Sequence, residues 1–303
     1  MQIMLRVEHL DKKLLDGKGS FRLQDISLHL PKGLICGLIG ENGAGKTSFI
    51  KSLIGLYRME KGNICINGLS LTEKEAEVKD MLGLVLNECY FEQNMTLEQI
   101  GIFYGELYSK FDRKQYLEYL MLFSMDKKQK LKRLSIGMKI KVQLAFALSH
   151  DARFFIFDEP TAGLDREFRE EFLNICTNLV SDGEKSILIS SHITEDLDRI
   201  ADYIGYMQKG KLLFFDTKEN LCDNFWIVKG EHYKCKLIPK KEVVYMEEGK
   251  YSTSAMVFAG RRAHLDSGLE KYRPNIRELM YYLVKGGEEN AKAVAEKYME
   301  ING

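Results

Sequence analysis

The chain has 303 residues, and 44 Lys plus Arg balance 44 Asp plus Glu to a formal net charge of zero, which excludes a strong general attraction to nucleic acid or to an anionic membrane surface. Hydrophobic residues at 45% and charged residues at 29% exclude a disordered chain, and a globular chain of this size buries about 75% of its unfolded surface without staples. Six scattered cysteines (Cys36, Cys65, Cys89, Cys176, Cys222 and Cys235) with no CxxC spacing argue against a disulfide framework or a zinc site and for buried, reduced thiols in a cytoplasmic protein.

Arg6, Glu8 and His9 interrupt the first apolar stretch, which does not fit a secretory signal. No run approaches the roughly 18 apolar residues of a membrane-spanning helix. The expectation is a protein that neither spans a membrane nor leaves the cell. Near-alternating apolar residues predict strands over Ile3 to Val7 and Phe21 to Leu30, and the compact run Leu34 to Ile39 predicts a buried strand. A glycine-rich turn leads to a helix over Thr47 to Leu56. Buried strands are expected over Leu82 to Leu86, Phe154 to Phe157, Ser186 to Ile189 and Ile204 to Met207, with helices over Glu167 to Val180 and Thr194 to Ile200. Strands alternating with helices imply a mostly parallel sheet covered on both faces.

From Asn94 to Lys132 the pattern is helical alone: Leu97, Ile100, Phe103, Tyr104 and Leu107 recur at helical spacing, and Tyr116 to Phe123 form a second helix. After Phe215 the composition shifts to short strand-like pieces (Tyr233 to Ile238, Val243 to Met246, Ala255 to Phe258) and then two helices, Ile276 to Lys285 and Glu288 to Met299. Asn275 is the expected cap of the first. Arg261, Arg262 and His264 show no ligand spacing. The boundary falls near Thr217 to Asp223, giving 1–215 as the main domain, with a helical insert at about 88–135, and 216–303 as an extension.

Gly40-Glu41-Asn42-Gly43-Ala44-Gly45-Lys46-Thr47 matches GxxxxGK[ST]. In such a loop, glycines let successive backbone N–H groups face phosphate oxygens at a helix N-terminus. Lys46 is expected to reach the β- and γ-phosphates and the Thr47 hydroxyl to ligate Mg²⁺, with Ser48 completing the nucleotide-binding set. Phe154-Phe155-Ile156-Phe157 lead into Asp158 and Glu159 at the carboxyl end of a central strand, where ligands of open α/β sheets bind. Asp158 is assigned to Mg²⁺ through water, and Glu159 to the attacking water.

Leu134-Ser135-Ile136-Gly137-Met138 resembles the LSGGQ signature of the ATP-binding cassette family. Pro160-Thr161-Ala162-Gly163-Leu164-Asp165 resembles its D-loop, and Ser190-Ser191-His192 its switch histidine. The likeness covers roughly residues 1 to 215 and is greatest to ATP-binding subunits of bacterial ABC-2-type exporters. It implies an α/β P-loop ATPase with a mostly parallel central sheet, an N-terminal β subdomain, a helical insert and a small C-terminal α+β extension. It further implies a homodimer that closes head to tail over ATP and Mg²⁺, peripheral on the inner face of the cell membrane against separate permease subunits. In that arrangement Ser135 and the Gly137 backbone contact the γ-phosphate across the interface, and His192 contacts it within the chain. Ser135 also reads as a helix N-cap.

Three positions depart from the family pattern. Ile136 stands where glycine is usual. Asn87 occupies the place of the Q-loop glutamine, where its shorter side chain still offers a carbonyl to Mg²⁺. The adenine-stacking aromatic is missing from Lys12 to Asp16, which offers Leu14 and Leu15; Phe21 is the substitute, with core packing its competing role. Tyr90, Phe91, Tyr104 and Tyr108 of the insert are candidates for a groove that receives a permease helix, and the basic run Lys127 to Arg133 reads as a solvated loop. The competing function is a soluble cassette ATPase acting on ribosomes or nucleic acid. A single phosphate loop and neutral charge disfavour it, and nucleic acid is not an expected partner.

Overall fold

The computed structural model describes residues 2–16, 19–258 and 268–302; Arg261, Arg262 and His264 lie outside the described residues, as does the side chain of Leu15. The alternating residues at the start form a long antiparallel hairpin, β1 (Ile3–Asp16) with β2 (Gly19–Pro31). Leu5, Val7, Leu23, Ile26, Leu28 and Leu30 point inward and are buried. β3 (Ile35–Ile39) is buried throughout and runs into the phosphate loop, from which α1 (Lys46–Leu53) departs. β4 (Lys61–Ile66) and β5 (Leu69–Ser70), not expected from the sequence, complete an antiparallel sheet in the order β2-β1-β4-β5.

After α2 (Glu75–Asp80) and β6 (Leu82–Val85), the segment between Asn87 and Ser135 holds α3 (Leu97–Gly105), α4 (Arg113–Leu122) and a 3-10 turn at Leu131–Arg133. Thr96 caps α3 in a reciprocal box with Gln99, which fixes its start. Leu97 and Ile100 are buried, but Phe103 and Leu107 of the same apolar series face solvent. The basic run is anchored by buried Leu131, and Lys127 and Lys132 reach Glu98 and Asn94.

The chain continues through α5 (Ile136–Ala147), β7 (Phe154–Asp158), α6 (Arg166–Val180), β8 (Ser186–Ser190), α7 (Thr194–Ile200), β9 (Tyr203–Gln208) and β10 (Lys211–Thr217). The central sheet has the order β10-β9-β3-β8-β7-β6. Its strands are parallel except β10, an antiparallel edge. The uninterrupted apolar runs follow from burial on both faces. Phe154, Ile156 and Leu188 enter the core shared with the N-terminal hairpin, while Phe155, Phe157, Ile187 and Ile189 enter the core on the opposite face.

Beyond β10 lie α8 (Lys218–Asp223), β11 (Phe225–Gly230), α9 (His232–Lys236), β12 (Val243–Glu248), β13 (Thr253–Phe258), β14 (Glu270–Tyr272) and α10 (Ile276–Asn302). The strands form one antiparallel sheet, β12-β13-β11-β14. The strand expected over Tyr233 to Ile238 is instead α9. Tyr233, Cys235 and Leu237 alternate along the chain, but only Cys235 is buried while Tyr233 and Leu237 are exposed. α10 is broken at Gly287 (φ 79°, ψ 175°), between the two expected helices. Asn275 accepts from Glu278 N at 2.8 Å and donates its own N–H to Glu278 at 3.1 Å, closing a capping box.

This C-terminal unit shares a core with the central sheet. Ile276, Leu279 and Leu283 of α10, with Phe225, belong to the same buried cluster as Leu197, Tyr206 and Phe214. Polar ties reinforce the contact: Ile276 N donates to Asp198 at 2.9 Å, Arg277 pairs with Glu195 at 2.9 Å, and Lys209 pairs with Glu288. All six cysteines are free; Cys36, Cys176 and Cys235 are buried, whereas Cys65, Cys89 and Cys222 are only partly so, short of the full burial expected. No described helix is long and apolar enough to cross a membrane.

Candidate functional site

The phosphate loop turns over the carboxyl ends of β3 and β9 because two of its glycines admit no side chain. A Cβ on Gly40 (φ 154°) would stand 2.3 Å from the Met207 carbonyl oxygen, and one on Gly45 (φ 110°) would stand 2.9 Å from the Phe21 ring. Lys46, 7% exposed, donates to the carbonyls of Gly40 at 2.7 Å and Glu41 at 3.3 Å, and stands 3.8 Å from Glu159 Oε1. Burial pulls its ammonium below the usual lysine range, opposed by the nearby carboxylates of Glu159 and Asp158.

Parallel pairing of β7 with β8 sets Asp158 opposite Ser190. The Ser190 hydroxyl donates to Asp158 at 2.6 Å and accepts from Glu159 N at 3.0 Å. Glu159 itself adopts left-handed backbone (φ 52°), uncommon for a residue with a Cβ. Its Oε2 receives the His192 backbone N–H at 3.2 Å and lies 2.5 Å from His192 Nδ1. The carboxylate accepts, so Nδ1 is the donor of this contact.

Glu41, Asn42, Gly43, Ala44, Gly45, Lys46, Thr47 and Ser48 line one cavity of about 790 Å³ together with Asn87, Glu159 and His192, a volume within the range of small-molecule sites. Thr47, Asn87 and Asp158 also meet around a small cavity of about 30 Å³. These are three hard oxygen donors, a set that suits Mg²⁺, which retains waters and substrate oxygens, better than a soft metal. Gly40, Asn42 and His192 border a second cavity of about 490 Å³ whose far wall includes Met280 of α10. Ser135 and Gly137 line none of these. Ser135 caps α5, accepting from Met138 N at 3.2 Å, and Ile136 is exposed beside it.

Phe21 borders the large cavity with Leu14 and Tyr57, and also packs on the hairpin core; stacking and packing are compatible. If Phe21 stacks on adenine, Phe21→Ala weakens ATP binding by about 1 to 3 kcal/mol and leaves inorganic triphosphate binding unchanged in calorimetry. An equal loss for both ligands would assign Phe21 to holding Gly45.

Sequence reasoning missed Ser190 as a partner of Asp158, Tyr57, Met280, and Gln143, whose amide clasps both Leu86 N and Leu86 O at 3.0 Å directly before Asn87. Ser190 was within reach, as the residue at the end of a strand adjoining Asp158. Tyr90, Phe91, Tyr104 and Tyr108 gather in an apolar groove of about 160 Å³ with Leu107, Phe146 and His150. Phe91 contacts Tyr104 and Phe146 at 4.9 and 5.1 Å between ring centroids. The His150 imidazole, against Tyr108 at 4.3 Å, is pulled below its usual range by burial.

A family model described as "ABC transporter" matches residues 23–162. The linearmycin resistance ATP-binding protein LnrL of Bacillus subtilis (strain 168) is 32% identical over 225 residues, covering 72% of this chain and 71% of that protein. The lantibiotic transport ATP-binding protein SrtF of Streptococcus pyogenes is 31% identical, covering 73% of this chain and 96% of that protein. Among solved structures, a dimeric post-hydrolysis ATP-binding cassette bound to ADP and Pi is similar with a TM-score of 0.63. It is 19% identical and covers 71% of this chain and 98% of that one, a likeness of fold.

Proposed function

This chain belongs to the ABC transporter family, and on that footing we propose a residue-level account of how it powers export. It is the ATP-binding, ATP-hydrolysing subunit of a membrane transporter. We read residues 1–215 as the cassette and 216–303 as an extension that braces a homodimer. Gly40 to Ser48 wrap the triphosphate with backbone N–H groups and the Lys46 ammonium. Thr47, Asp158 and Asn87 would hold Mg²⁺, which would supply positive charge to offset that of the phosphates. Glu159 accepts a proton from the attacking water, and His192 Nδ1–H orients that carboxylate. Ser135 and Gly137 serve the nucleotide of a second copy. The observation that carries this reading is the convergence of the phosphate loop, Asn87, Glu159 and His192 on one cavity.

The exposure of the signature start at Ser135 and Ile136, away from its own cavities, supports a role across an interface. Relatives named for linearmycin resistance and lantibiotic transport support export. A permease is the proposed occupant of the aromatic groove, and through it the chain sits on the inner face of the membrane. Leu107, 71% exposed on the groove rim, offers a clean test: Leu107→Asp should sharply reduce co-purification with a co-expressed polytopic partner while ATP binding stays at parent strength. Undiminished co-purification would remove the groove from the proposal.

A further inference from the structure

We propose that Asp196 on α7 is a positioning residue for hydrolysis, holding through the Thr161 hydroxyl the strained turn that carries Glu159. The inference rests on Glu159 being the catalytic carboxylate.

A left-handed residue with a side chain persists only where its surroundings over-determine it. On the upstream side of Glu159 this is done by β7 and by Ser190, whose Oγ and O both receive the Glu159 N–H, at 3.0 and 3.2 Å. Downstream the backbone supplies only weak turns, Ala162 N to Glu159 O at 3.2 Å and Leu164 N to Thr161 O at 3.3 Å. A buried side chain adds a further anchor: Thr161 Oγ1 donates to Asp196 Oδ2 at 2.9 Å, and both residues are buried, at 3% and 2% exposure.

Asp196 is itself fixed. Its Oδ1 accepts from Arg169 Nε at 2.8 Å and lies 2.7 Å from Arg169 Nη2. Arg169 sits in the first turn of α6, just after Asp165 caps that helix by accepting from Phe168 N at 2.8 Å. One carboxylate therefore grips the loop near its start and the helix that receives its end. Burying that charge carries a desolvation cost that the guanidinium and hydroxyl offset. Asp196 also lies four residues beyond His192, which sits in the bend just before α7 and whose N–H and Nδ1 hold the Glu159 side chain. The segment that leads from His192 into α7 thus fixes the carboxylate and the backbone that carries it, so that hydrolysis needs this segment and the loop in register.

Thr161→Val deletes the tether and spares the Asp196–Arg169 pair; Thr161→Ser keeps the hydroxyl. With the full chain, Mg²⁺ and ATP, Thr161→Val should lower kcat about ten- to a hundredfold with ATP affinity within about twofold of the parent, and Thr161→Ser should restore most of the rate. Asp196→Asn should lower kcat with the same unchanged affinity. A Thr161→Val chain at the parent rate overturns the proposal, as does a loss of binding in step with rate, or a serine variant as slow as the valine one. A parent chain that hydrolyses nothing overturns the assignment of Glu159 and this inference with it; an active parent with an unimpaired Thr161→Val chain overturns this inference alone.

Discussion

Glu159→Gln is expected to slow ATP hydrolysis by about 10² to 10⁴, the usual worth of a positioned general base, with no loss of nucleotide affinity. The amide keeps the size of the carboxylate and an oxygen for the His192 N–H that now bonds Glu159 Oε2 at 3.2 Å. What it lacks is a group basic enough to take a proton from water. Binding should even tighten slightly, because Glu159 Oε1 stands only 3.8 Å from the Lys46 ammonium and its charge opposes an incoming phosphate. The variant should accumulate as a nucleotide-bound pair in sedimentation with ATP. Met280→Arg in that background probes the C-terminal extension, since Met280 borders the cavity of Asn42 and His192; a pair formed equally well would remove the extension from dimerisation. Hydrolysis by Glu159→Gln at the parent rate would transfer the base to another group.

Lys46→Ala should act one step earlier, on binding. Charge-assisted hydrogen bonds contribute about 1.5 to 3 kcal/mol, so Kd for ATP should rise roughly ten- to a hundredfold or more. The effect stays below that of an isolated ion pair because Lys46 already bonds the carbonyls of Gly40 and Glu41 and must exchange them for phosphate oxygens. Calorimetry with ATP separates the two variants: Glu159→Gln keeps its binding heat and Lys46→Ala loses it. An alanine variant that binds at parent strength would mean that the backbone of the loop suffices.

Much of this site was legible because it is local. The phosphate loop is one contiguous segment whose glycines have stereochemical reasons, and the short apolar run before Asp158, rich in phenylalanine, reads as a buried strand. The thin evidence at Tyr233 to Ile238 misled, because five or six residues cannot separate a period of 2 from one helical turn. β4, starting Lys61-Gly62-Asn63, has no apolar residue in its first half to announce it. The contacts hardest to foresee join residues remote in sequence: Gln143 to Leu86, Asp196 to Thr161, Met280 to the rim beside His192. Each is a polar or sulfur-bearing residue in an ordinary helical stretch, and its meaning appears only when helices pack.

Because Phe214, Tyr206 and Leu197 share one buried core with Phe225, Ile276 and Leu283, and the Phe214 and Phe225 rings meet at 6.3 Å between centroids, the tail is no interchangeable attachment. Cutting the chain after Phe215 would leave a raw apolar scar on the ATPase rather than a smaller working enzyme. Grafting this tail onto a relative's cassette would require re-matching both sides of the seam. Whatever the last ninety or so residues do, they and the nucleotide machinery are bound to melt, and to be altered by mutation, together.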